Sequence, residues 1–351
     1  MVGFEQRLKW DTNALKWNRN MTDNEKLSAF TIVDFGEVKN NDSDNYDYLV
    51  VCDGCTVKYY TDRPEAISES KTNIDNIKKV LKRSKHNYRL KLILIDGDAP
   101  LNEDAKLFAE YIDYLASKSL TNSINILGFS KCGVMSFNMP KYYQNPISYH
   151  KTNLYTIATP FEGTMMATPN ILLKDFSENV HKSIHNERLA NLIISSINKR
   201  YSNSNDQKHH RFNDISIPNK LDAHTTNNYD PELLQSIFSK ANLSAIKRLN
   251  TYQNICTRID DNTFEECLRT ANFIGLGLCL TNDFLLHKQA DGMVEQNSQQ
   301  AIEKHLDISS PLLKSSHHAV LTNQRLTSDL IHYVDDTIGE QVDKCLVKKF
   351  Y

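Results

Sequence analysis

The sequence predicts an α/β protein, a mostly parallel central sheet with helices on both faces. Three observations carry this. Short apolar runs recur at Phe30–Phe35, Tyr48–Cys52, Leu90–Ile95, Ile124–Leu127 and Leu154–Ile157. Helical periodicity falls between them, as in Asp104–Ser117, where Leu107, Tyr111, Ile112 and Leu115 share one face. The runs end in turn signals: Asp53-Gly54, Asp96-Gly97, Gly128 and Thr159-Pro160. Short apolar strands alternating with amphipathic helices bury both faces of a parallel sheet. In such sheets ligands bind beyond the carboxyl ends of the strands, where these turns lie.

Taken in order, residues 1–29 are polar with scattered Trp10 and Trp17 and read as a short helical lead-in. The core occupies 30–164 and resumes over 271–351. A helix is expected from Lys131 to about Tyr143, and a further strand at Asn272–Leu280. Residues 165–270 lack an obvious strand pattern and read as a helical cap or lid insertion. One helix there carries Leu189, Leu192, Ile193 and Ile197. Another opens with Asp230 as N-cap and Pro231 at the first helical position. The polar stretch 201–229 between them reads as a loop.

Composition narrows the function classes. The 351 residues hold 41 Lys+Arg and 43 Asp+Glu, a net charge of −2, which argues against a dedicated nucleic-acid binder. No apolar run approaches the ~18 residues of a membrane span, although peripheral lipid contact stays open. The charged N-terminus lacks the pattern of a secretory signal. The expected compartment is the cytoplasm, or the outside by a route without such a signal. Seven cysteines, an odd number, read as reduced and mostly buried thiols. Cys52 and Cys55 form a lone C-x-x-C, with no second pair to complete a zinc site. No metal or organic cofactor is expected. Only 11 glycines are present, against an average usage of about 7%, so each marks a place where the backbone requires one.

The strongest chemical signal is Ile124-Asn125-Ile126-Leu127-Gly128-Phe129-Ser130-Lys131-Cys132-Gly133. A strand runs into a sharp turn with serine at its apex, then into a helix. Such a turn strains the serine and exposes its hydroxyl above the sheet. Small residues are expected at positions 128 and 132, where strand and helix nearly touch. The backbone N–H of Lys131, at the helix start, is placed to stabilise an oxyanion.

With these residues the sequence resembles the α/β-hydrolase superfamily, its lipase and esterase branch in particular. The G-x-S-x-G pattern stands here as Gly128-Phe129-Ser130-Lys131-Cys132. Ala158-Thr159-Pro160-Phe161-Glu162-Gly163-Thr164 resembles the T-P-x-x-G segment found after the nucleophile in lipases. Ala290-Asp291-Gly292-Met293-Val294 resembles the turn presenting the triad acid, and His317-His318-Ala319-Val320-Leu321-Thr322-Asn323 the late segment carrying the base. The chain order Ser, Asp, His is the family's.

The resemblance implies a serine hydrolase for carboxylic esters or thioesters of a hydrophobic acyl group, working through an acyl-enzyme. Ser130 is the expected nucleophile and Asp291 the acid. His317 is the expected base, with His318 the second choice. The second oxyanion donor is expected at the backbone N–H of Cys55, in Cys52-Asp53-Gly54-Cys55, where Asp53 replaces the family's usual histidine. Other classes fit the same residues: an acyltransferase or amidase on the same triad, or a catalytically silent binding protein, which Asp53 and Cys132 favour.

Overall fold

The computed structural model describes residues 14–16, 30–56, 74–95, 101–164, scattered positions from 177 to 195, 236–259, 290–291, 294–315 and 324–339. The strands are β1 (Ala14–Lys16), β2 (Phe30–Val38), β3 (Tyr46–Thr56), β4 (Tyr88–Ile95), β5 (Thr121–Phe129), β6 (Thr152–Ile157), β7 (Thr251–Arg258) and β8 (Leu312–Lys314). The helices are α1 (Leu101–Ala116), α2 (Lys131–Asn138), α3 (Pro146–Lys151), α4 (Lys240–Ile246), α5 (Gln296–Gln300), α6 (Glu303–Leu306) and α7 (Gln324–Gly339). The strands form one eight-stranded sheet in the order β1-β2-β4-β3-β5-β6-β7-β8. β2 runs antiparallel to β1 and β4, and every other neighbouring pair is parallel.

The two-residue repeat of β3 explains why both faces are covered. Tyr48, Val50 and Cys52 point to one side, where they meet Ala105, Phe108, Ile112 and Leu115 of α1 and Val134 and Phe137 of α2. Leu49 and Val51 point to the other, against Ile74, Ile77 and Leu81 of a helix over 74–81 and Leu330, Ile331 and Val334 of α7. Both sheet edges are only three residues long, which limits edge-to-edge pairing. Among the described residues no helix is long and apolar enough to cross a membrane.

Three expectations change. Ala14–Lys16, placed in a helical lead-in, is instead an edge strand paired with Thr31–Val33 of β2. The helix expected to reach Tyr143 stops at Asn138 and continues as a 3₁₀ turn over Met139–Tyr142. Pro140 sits at its start and has no N–H for an α-helical bond. Thr251–Arg258, inside the segment read as a helical insertion, is β7 and pairs with Asn153–Ile157 of β6. Its pattern is hard to see because several of its buried residues are polar, among them Asn254 and Thr257. The strand expected at Asn272–Leu280, Asp230, Pro231 and the polar stretch 201–229 lie outside the described residues.

A polar chain crosses the amino ends of the parallel strands. Asn250 donates to Asn153 at 2.7 Å, Asn153 to Asn125 at 2.8 Å, and Asn125 to the Ser123 hydroxyl at 3.0 Å. Ser123 then donates to Oδ1 of Asp47 at 2.7 Å. All the donors point toward one buried carboxylate, and each bond reinforces the next. His86 Nδ1 lies 3.3 Å from the other Asp47 oxygen. Burial pushes the Asp47 carboxyl above the usual carboxylate range, opposed by the Ser123 hydrogen bonds and by His86.

A raised native pKa means that the native state holds this proton more tightly than the unfolded chain. The associated stability is fully present below the unfolded pKa of about 3.9 and is lost as pH rises through the native pKa. In a His86→Gln background, which removes the coupled imidazole, Asp47→Asn abolishes this dependence. Urea unfolding from pH 4 to 8 should therefore show the Asn variant gaining relative stability as pH rises. A flat or falling difference would contradict the assignment.

Candidate active site

β5 passes into α2 through one residue. Ser130 has φ 54° and ψ −127°, a region that L-residues rarely adopt and that costs about 1–3 kcal/mol. Two backbone bonds hold it there. Its N–H donates to the Ile157 carbonyl of β6 at 2.9 Å, and its carbonyl accepts from Gly133 N–H at 2.8 Å. The turn leaves Ser130 partly exposed while Lys131 and Cys132 on either side of the first helical turn are buried.

The expected close approach is present, with one shift. A Cβ on Gly128 would lie 2.9 Å from the Ser136 hydroxyl and 3.1 Å from the Cys132 carbonyl oxygen. On the helix side the tight position is Gly133, not Cys132. A Cβ there would lie 1.9 Å from the Thr159 hydroxyl oxygen. Cys132 is fully buried and packs in the core beneath the turn. The glycine has moved one residue along, so the helix can still approach the segment that follows β6.

That segment is strained as well. Ala158 has φ 51°, and its N–H makes the last bond from β6 to β7, on Ile255 O at 3.0 Å. The loop it begins is tied down by Ser298 of α5. Ser298 donates to the Gly163 carbonyl at 2.6 Å and accepts from Glu162 N–H at 3.0 Å.

β3 and β5 are parallel neighbours with Cys52 opposite Gly128. Against β4, Cys52 pairs with Ile93 but Thr56 pairs with Ile95, so β3 carries two extra residues at this point. The backbone of Asp53, Gly54 and Cys55 thus leaves the ladder at the end of the sheet where Ser130 emerges. Of the expected donors, the N–H of Lys131 opens α2 directly after β5, and the N–H of Cys55 lies near the end of the neighbouring β3.

Asp291 lies at the carboxyl end of β7. Ile259 N–H donates to the Ala290 carbonyl at 3.0 Å, and Ala290 bridges Glu295. Asp291 is fully buried. Its Oδ1 accepts from Val294 N–H at 2.8 Å, and its Oδ2 accepts from the Thr257 hydroxyl and, at 3.4 Å, from Gln299 Nε2. Thr257 and Gln299 were not legible as site residues. β7 itself was hidden in sequence, and Gln299 sits on a five-residue helix, α5. β8 runs parallel to β7, and Ser315 N–H bonds to Arg258 O at 2.9 Å at the same end. His317 and His318 lie outside the described residues.

The cysteines allow less chemistry. Among the described residues, Cys52, Cys132 and Cys256 are buried, and burial pushes the Cys256 thiol up to about 12. A thiol held neutral in this way is a poor nucleophile.

An eight-stranded sheet in this order, with the second strand antiparallel and a strained serine between the fifth strand and its helix, is the α/β-hydrolase fold. No family model and no curated protein matches the chain. Solved structures do. The mature lipase BlEst2 of Bacillus licheniformis is 14% identical, with 85% of this chain and 96% of that one covered at a TM-score of 0.43. Est1E from Butyrivibrio proteoclasticus is 9% identical, covering 94% and 99% at 0.44. The haloalkane dehalogenase DbeA of Bradyrhizobium elkani is 10% identical, covering 93% and 99% at 0.44. This chain's own strand order and its turn at Ser130 define the fold.

Gly133→Ala should destabilise the protein by about 3 kcal/mol or more, at the upper end of overpacking effects. Thr159→Ala should relieve much of this in the double variant, whereas Cys132→Ala alone should leave the turn intact. Chemical denaturation of the four proteins gives the coupling. Additive effects of Gly133→Ala and Thr159→Ala would contradict the contact.

Proposed function

We propose that this protein is a serine hydrolase that cleaves carboxylic esters or thioesters of a hydrophobic acyl group. The observation that carries the reading is the backbone of Ser130, held in a rare conformation at a strand-to-helix junction flanked by two close-packed glycines. Strain of this kind persists where surrounding structure enforces it, and it clusters at functional sites.

In this reading Ser130 Oγ attacks the acyl carbonyl carbon while His317 takes its proton. The N–H groups of Lys131 and Cys55 hold the developing oxyanion. The protonated imidazole gives its proton to the departing alcohol or thiol, which leaves an acyl-Ser130 ester. Water then attacks with the same base and regenerates Ser130. Asp291 orients the imidazole and stabilises its charged form. His318 is the second choice for the base. The insertion read over 165–270, apart from β7 within it, would cap the site and shape the acyl pocket.

Support for the acid comes from position. Asp291 is anchored at the end of β7, two strands from Ser130, and the chain leaves β8 beside it just before His317. No step requires a metal or an organic cofactor.

The test is a panel of p-nitrophenyl esters of rising chain length set against peptide anilides. Esters should turn over and anilides should not. Ser130→Ala should lower kcat by roughly 10⁴-fold or more with an unchanged circular dichroism spectrum. Ester turnover that survives Ser130→Ala would end the proposal.

A further inference from the structure

β6 leaves the sheet at Ala158, while β7 runs on to Arg258. The N–H and carbonyl of Thr257 therefore face the place that β6 has vacated. The side-chain amide of Gln299 fills it. Its Oε1 accepts from Thr257 N–H at 2.7 Å, and its Nε2 donates to the Thr257 carbonyl at 3.0 Å. A neighbouring strand would make the same pair of bonds, with a carbonyl and an N–H taken from two successive peptide groups. The Gln299 Nε2 also lies 3.1 Å from the Val294 carbonyl and 3.4 Å from Oδ2 of Asp291. The Thr257 hydroxyl donates to that same oxygen. Thr257, Asp291 and Gln299 are all fully buried.

One amide thus completes a strand edge and binds the turn that carries the acid. We propose that Thr257 and Gln299 are positioning residues that fix the orientation of the Asp291 carboxylate. This inference rests on the reading of Asp291 as the triad acid. The physics is that of a charge in a dry site. A buried carboxylate stays ionised only where donors face it, and each donor also fixes where its lone pairs point. With the Thr257 donor removed, one carboxylate oxygen loses a hydrogen bond that fixes where it points, so the acid holds the imidazole less well aligned for proton transfer.

The test is a graded series at one position, read on p-nitrophenyl butyrate. Thr257→Ser keeps a hydroxyl donor, Thr257→Cys supplies a weaker one, and Thr257→Val supplies none. The Val variant should lose about tenfold or more in kcat with KM within about twofold. The Ser variant should keep kcat within about threefold, with Cys between. A folded Val variant with wild-type kcat overturns the proposal, as do equal losses in Ser, Cys and Val, which would indicate packing alone. Should Val fail to fold, a Cys variant as active as Ser overturns it. Turnover that survives Ser130→Ala overturns the serine reading and this inference together. Turnover that requires Ser130 but ignores the Thr257 series overturns this inference alone.

Discussion

Everything at the carboxyl end of the sheet depends on how closely α2 can approach β5 and the segment after β6. The chain turns from strand to helix in a single residue, Ser130, and the turn closes only if two Cβ atoms are missing. At Gly128 a Cβ would meet Ser136, and at Gly133 it would meet Thr159. The strain at Ser130 is offset by bonds to Ile157 and Gly133 and by the burial of α2 in the core. The rule that a nucleophile turn needs a small residue two places after the serine is therefore too local. What must be small is whichever residue the neighbouring segment touches, and here that residue is one place further on.

The same end of the sheet is staggered. β5 stops at Phe129, β6 at Ile157 opposite it, and β7 continues to Arg258. That extra length exposes backbone groups of Thr257, and the Gln299 amide satisfies them. An unpaired buried peptide group costs about 1–3 kcal/mol, so the stagger is stable only with such a partner. Asp291 lies just beyond the end of β7, where Ile259 N–H bonds the Ala290 carbonyl. At the opposite end of the sheet the amide chain from Asn250 to Asp47 ties β7, β6, β5 and β3 into one register. The amino end of the sheet is thereby fixed by polar bonds, and the carboxyl end by packing at Gly128 and Gly133 together with the Gln299 bonds to β7.

Much of this was legible in sequence. The apolar runs found β2 through β6, because the buried positions of those strands are mostly hydrophobic and that content alone marks them. The elbow was legible because glycine is scarce and a serine follows one at a strand end. β7 was not, because Asn254 and Thr257 face buried partners through hydrogen bonds rather than apolar contact. Pattern reading assigns such residues to the surface. β1 was missed because its three residues gain their structure from pairing with β2 and carry no pattern of their own. Gln299 was invisible for a related reason. Its role follows from where β6 ends, which is a property of the tertiary fold and not of residues near it in the chain.

The central claim is that the strained turn presents Ser130 as a nucleophile. Intact-mass spectrometry of the folded protein after exposure to a fluorophosphonate, with peptide mapping of the adduct, tests it most directly. The account predicts one phosphonyl adduct per chain, on Ser130, and none on the Ser130→Ala variant. An unmodified folded protein, or an adduct on any other residue that persists in Ser130→Ala, would contradict it.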